Sequence, residues 1–163
     1  MKTIIPFLMS ILLLGCNYSQ PKINSEKEIH GIVSDVIDGD TLYVLVKSNI
    51  YKIRLQDIDC PEKKQPYGKE AKQFVENLAL SNKIVVKYKG TDRYGRTIGT
   101  AIIVTNMANL NQELLKNGWA WWYYQYSTNQ MLGNLEEIAR TNKLGIWAST
   151  NNIPPWEWRK KHR

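Results

Sequence analysis

Between Ile29 and Gln56 three strand-forming segments follow one another with links of only a few residues, and nothing helical intervenes. Ile29–Ile37 is apolar and β-branched with imperfect alternation. Thr41–Lys47 sets Leu42, Val44 and Val46 against Tyr43, Leu45 and Lys47. Tyr51–Gln56 sets Ile53 and Leu55 against Lys52, Arg54 and Gln56, which is period two. The links Asp38-Gly39-Asp40 and Lys47-Ser48-Asn49 carry turn residues. A β-meander is therefore the starting point for any fold of this chain.

The period then changes. Ala71, Phe74, Val75, Leu78 and Ala79 share one helical face. Lys83–Tyr88 and Thr97–Val104 return to strand character around the turn Gly90–Gly95. Leu110, Leu114 and Leu115 imply a short helix ended by Gly118. A last helix over Asn129–Leu144 uses Leu132, Leu135, Ile138 and Ala139 and stops at Gly145. Strands and helices in this order predict an α+β domain over residues 29–148 with a curled antiparallel sheet, and five short strands most economically close into an OB-fold barrel.

The N-terminus has a different character. Lys2, the apolar run Ile4–Leu14 and small Gly15 have the layout of a secretory signal over residues 1–15. The run is short of the roughly 20 residues that a membrane-crossing helix needs. Leu13-Leu14-Gly15-Cys16 resembles a lipobox, which implies lipidation at Cys16 and an exported protein anchored to the membrane of the bacterial cell envelope, or secreted if the motif is unused. Residues 16–28 are polar and aperiodic, a tether. Removing the leader takes away one cation, so 22 basic residues become 21 against 15 acidic ones. That excess suits a polyanionic partner. With Cys16 acylated, Cys60 has no disulfide partner.

Charges interrupt the strand pattern at three places: Asp38-Gly39-Asp40-Thr41, Arg54 through Asp59-Cys60-Pro61-Glu62, and Asp92-Arg93-Tyr94-Gly95-Arg96. Each alone reads as an ordinary turn or strand end. Together they supply what phosphodiester hydrolysis needs. Asp40 and Asp59 are hard oxygen ligands for a cation such as Ca2+, Glu62 is a candidate base, and arginines offer forks matched to phosphate oxygens. His30 and His162 stand at opposite ends, so neither a His/Cys zinc site nor a histidine base is supported.

These three blocks, with Asn111-Gln112-Glu113-Leu114-Leu115 through Gly118-Trp119-Ala120, resemble the staphylococcal (micrococcal) nuclease family in content and order from about Ile29 to Trp147. The resemblance implies a five-stranded OB-fold barrel with three helices. It implies Asp40, Asp59 and the Cys60 backbone carbonyl as calcium ligands, and Arg54 and Arg96 as the arginines on the attacked phosphate. It also implies Glu62 as general base and Tyr94 near the nucleotide phosphate. Arg93, where the type member has lysine, keeps a substrate-facing charge, and Tyr124 and Tyr126 fall where aromatics flank the base. The implied activity is calcium-dependent endonucleolytic cleavage of DNA and RNA by a monomer, leaving 3′-phosphate ends. The alternatives are an OB domain that binds nucleic acid without cutting it and an envelope lipoprotein that serves protein contacts.

Some residues depart from the family pattern. Cys60 stands where threonine or alanine is frequent, with a thiol whose oxidation beside the metal would inhibit. Asp57 adds an acid read as a solvated strand-end charge, with a group just outside the metal ligands as the alternative. Lys63–Tyr67 is shorter than the type member's loop. In the run Trp119, Trp121, Trp122, Tyr123, Tyr124 and Tyr126, more than half of the rings are expected to pack rather than stack on bases. The basic, Trp-containing tail 149–163 suits either a grip on nucleic acid or lipid headgroups or a docked terminal clasp.

Overall fold

The computed structural model describes residues 26–162. The leader, Cys16 and most of the tether lie outside them. The elements are β1 (Lys27–Val36), β2 (Thr41–Val46), β3 (Asn49–Leu55), β4 (Ile58–Asp59), α1 (Gly68–Ala79), β5 (Lys83–Thr91), β6 (Thr97–Ile103), α2 (Leu110–Lys116), β7 (Trp121–Trp122), α3 (Gln130–Thr141), a 3-10 turn (Gly145–Ala148) and α4 (Pro155–Lys161). No described helix is long and apolar enough to cross a membrane.

Five strands close a barrel in the order β1-β2-β3-β6-β5. Alternation decides what fills it. Leu42 and Val44, Ile53 and Leu55, Ile84 and Val86, and Ala101 and Ile103 turn inward and are essentially without exposed surface. The imperfect pattern of β1 has a cause: Val33 faces Val44 and Asp35 faces Tyr43, so Ser34 is the extra residue of a bulge. The expected sheet was antiparallel throughout, but β3 and β6 pair in parallel. Closure demands this, because α1 and β5 intervene between them and bring β6 back in the direction of β3.

Helix α1 turns Ala71, Val75 and Ala79 onto the barrel. Helix α2 is capped by the Asn109 side chain, which accepts from Gln112 N, and it ends at Gly118, whose φ of 71° is readily adopted only without a Cβ. In α3 the expected apolar face is rotated. Ile138 is exposed, and Glu136 is buried in its stead, accepting from Trp122 N at 3.0 Å and pairing with Arg140. Three helices were expected; the tail supplies a fourth, α4, docked on the domain.

Asn111 fixes the end of the barrel that matters most. Its buried amide accepts from Ala101 N at 3.1 Å and donates to Gln56 O at 2.9 Å, joining β6 to the turn after β3. Replacing it by alanine leaves those buried groups unpaired. Asn111→Ala is therefore expected to lower unfolding free energy by about 1–3 kcal/mol in urea titrations; an unchanged midpoint would show that the clamp is dispensable.

Candidate active site

The strand register brings the first two charged blocks together. Thr41 pairs with Arg54 across β2 and β3, and Leu55 N donates to Asp40 O at 2.8 Å. Because Ile53 and Leu55 point into the barrel, Arg54 points to its outer face, beside the turn that carries Asp40. That turn is held by Asp38, whose Oδ1 accepts from Asp40 N at 3.1 Å. It packs so closely that a Cβ on Gly39 would lie 2.7 Å from Cys60 Cβ and 3.0 Å from Ala71 Cβ.

Arg54 is the hub. Its Nη1 donates to the carbonyls of Leu55 (2.8 Å) and Ile58 (3.0 Å) and lies 3.1 Å from Asp40 Oδ2. Its Nη2 donates to Asp59 Oδ1 at 2.9 Å. One guanidinium thus spans both carboxylates, and its side chain is only 12% exposed. Asp59 is placed by the two-residue ladder of β4 with β7, where it faces Trp121. Cys60 N donates to Asp40 Oδ2 at 2.7 Å, closing the ring between the two acids.

The electrostatics are those of acids short of positive charge. Burial pushes the Asp40 carboxyl up to about 8, against the pull of Arg54, and Asp38 and Asp59 push the same way. Burial also raises Asp59, while Arg159 and Arg54 oppose it. For Arg54 burial disfavours the charged form, but Asp40 and Asp59 outweigh it and the pKa rises. Two buried carboxylates drawn to one guanidinium are hard oxygen donors of the kind a divalent cation takes. Among the described residues no three His, Cys, Asp or Glu side chains group as a metal cluster. An ion here would rest on Asp40, Asp59 and carbonyl and water oxygens, which calcium accepts. The Cys60 carbonyl accepts no hydrogen bond from the described residues. The Cys60 thiol is buried, which lifts its pKa well up and removes the thiolate that oxidation requires.

A cleft of about 700 Å³ gathers these groups with Glu62, Arg93, Tyr94 and Arg96. Arg96 Nε donates to Asp92 Oδ2 at 2.8 Å, which orients the fork at the cleft edge. The Arg93 and Arg96 guanidiniums lie 4.9 and 5.7 Å from the Tyr94 ring centroid, and that ring is 68% exposed. Tyr126 also lines the cleft, but Tyr124 does not; it packs edge-on against Trp156. Trp119, Trp121, Trp122 and Tyr123 are buried or half-buried, as expected for most of the aromatic run. Asp57 departs from the solvated reading and matches the alternative of a group beside the site. It is half-buried at the cleft wall with φ 65°, a left-handed turn conformation that aspartate tolerates, and its carbonyl accepts from Tyr123 N.

Two residues of this cleft lie in segments the sequence flagged, the aromatic run and the basic tail, without being marked there as site residues. Tyr123 lines it, and Arg159 of α4 donates to both Asp59 and Glu62. The tail is thus a docked clasp.

A carboxyl whose pKa is higher folded than unfolded destabilises the fold as pH rises between the two values, here from about 4 to about 8 for Asp40. Asp40→Asn is accordingly expected to raise the melting temperature in chelator at pH 7, and to do so less at pH 5. A lower melting temperature at pH 7 would mean that the Arg54 pair outweighs the burial of Asp40.

Comparison with known proteins agrees with this geometry. The family model described as Staphylococcal nuclease homologue matches residues 52–149. An "Uncharacterized endonuclease" of Escherichia coli O157:H7 is 40% identical over 134 residues, covering 82% of this chain and 87% of that protein. An "Uncharacterized endonuclease" of Haemophilus influenzae is 38% identical over 132 residues, covering 80% and 73%. The "Micrococcal nuclease" of Shigella flexneri is 35% identical over 142 residues, covering 82% of each. A closed five-stranded barrel with the acid–arginine cleft on its outer face, and matches of this extent, place the chain in the staphylococcal nuclease family.

Proposed function

We propose that the protein is a calcium-dependent endonuclease that hydrolyses phosphodiester bonds of DNA and RNA and leaves 3′-phosphate ends. The observation that carries this reading is the buried Asp40–Arg54–Asp59 cluster opening on a cleft that also holds Glu62 and Arg96. Relatives named as endonucleases and as a micrococcal nuclease support the hydrolysis of nucleic acid. A calcium ion at this site would supply Lewis-acid polarisation of the phosphoryl group and a lower pKa for water.

The chain's own residues do the rest. Glu62 accepts the proton of the attacking water as the new O–P bond forms, and the bond from phosphorus to the 5′-oxygen breaks in line, the leaving oxygen taking a proton from solvent. Arg96 meets the charge that accumulates on the phosphoryl oxygens, since only its Nε is taken by Asp92. Arg54 keeps its Nε–H and one Nη2 hydrogen free of partners among the described residues, so it can reach the same phosphate while holding the two acids. Tyr94 and Tyr126 present exposed rings to the nucleotide, and Arg93 and Tyr94 border its phosphate. We assign the enzyme to the bacterial envelope, exported by residues 1–15 and anchored through Cys16, and we regard it as a monomer.

The structure makes Arg54 a poor probe, because removing it strands two buried acids. Arg96 is the better one. Residues 17–163 are expected to cut single-stranded DNA with calcium and not with chelator, and Arg96→Ala should cut about 10²- to 10³-fold more slowly at unchanged melting temperature. DNA left intact with calcium would contradict the enzyme and favour a domain that only binds.

A further inference from the structure

The C-terminal helix reaches into the cleft with one side chain. Arg159 Nη1 donates to Glu62 Oε1 at 2.7 Å and to Asp59 Oδ1 at 3.2 Å, and its Nη2 donates to Asp59 Oδ2 at 2.8 Å. A single planar guanidinium therefore bridges the acid read as cation ligand and the acid read as base. Glu62 sits on a loop with its side chain 38% exposed, free to sample several rotamers without such a partner. Asp59 is 1% exposed and already set by Arg54. Bridging the mobile acid to the fixed one transfers the order of the barrel to Glu62.

The helix that brings Arg159 is held independently of it. Trp156 stacks on Tyr123 with ring centroids 5.4 Å apart and planes 3° from parallel, and Pro155 is buried. Buried Gln65 adds a second tie, donating to Ile153 O at 2.6 Å while its Oε1 accepts from Glu62 N at 3.1 Å. The tail and the Glu62 loop are thus connected through backbone as well as through the ion pair.

We infer that Arg159 is a positioning residue of the active site, which fixes the Glu62 carboxylate relative to Asp59 so that base and cation ligand meet the substrate as one unit. This rests on the roles proposed above for those two acids. Free lone pairs allow the arginine to stay when a cation enters. A carboxylate offers about four acceptor sites, and the three hydrogen bonds to Asp59 leave one. A lysine keeps the charge but cannot bridge two carboxylates as a fixed fork does.

The test uses the whole mature chain as parent, Arg159→Gln and Arg159→Lys, with calcium binding measured by calorimetry in the absence of nucleic acid and cleavage measured under saturation. Arg159→Gln should lower kcat about 10- to 100-fold and weaken calcium binding about tenfold, with KM within about twofold. Arg159→Lys should recover calcium affinity more than kcat. Trp156→Ala, which loosens the helix but keeps the arginine, should fall between parent and Arg159→Gln. Equal kcat in parent and Arg159→Gln would overturn the inference while leaving the nuclease intact. Tighter calcium binding in that variant would overturn it too, because the arginine would then be a competitor of the ion. A parent that neither binds calcium nor cuts would overturn the reading of the site, and this inference with it.

Discussion

The site depends on one buried guanidinium. Arg54 ties Asp40 at the entry to β2 and Asp59 at the end of β4 to its own strand, and the carbonyls of Leu55 and Ile58 leave it no freedom to swing away. Removing Arg54 from this buried set strands two acids, at a cost of about 3–5 kcal/mol. The barrel exists around this arrangement as much as beside it. The turn at Gly39, the clamp of Asn111 on Gln56 and the ladder of Asp59 with Trp121 all fix backbone within a few residues of the three charges.

The same cluster explains the division of the cleft. Its inner wall is rigid and acidic, built from strand ends. Its outer wall is basic and aromatic, built from the turn between β5 and β6 and from the segment after β7, with Tyr94 and Tyr126 exposed. A polyanion would be drawn by the outer wall and meet the acids only at the point where a cation can lie between them. The overall excess of 22 basic over 15 acidic residues acts in the same direction.

Much of this was legible in the sequence, and the reason is local. Ile53 and Leu55 alternate with Arg54, so period two alone puts the arginine on the outer face, and the β2–β3 register sets it beside the Asp38–Asp40 turn. Gly118 stops α2 where its freedom of φ is needed. What escaped has no local period. β4 and β7 are two residues each, too short for any pattern, yet they place Asp59. Ile138 fits the apolar face of α3 by spacing, but Glu136 takes the buried position because it satisfies the Trp122 N–H, a partner 14 residues away. Arg159 meets Asp59 across 100 residues, through a seven-residue helix whose composition left a grip on nucleic acid or lipid headgroups and a docked clasp both open and named no partner for the arginine.

Asp40 and Asp59 are proposed to hold a divalent cation jointly on the outer face of the barrel. A crystal structure grown with calcium, with the anomalous signal of the ion recorded, tests it most directly. One peak is expected within about 2.3–2.6 Å of a carboxylate oxygen of each aspartate. A peak elsewhere, or none there at saturating calcium with the Arg54 bridge intact, would contradict it.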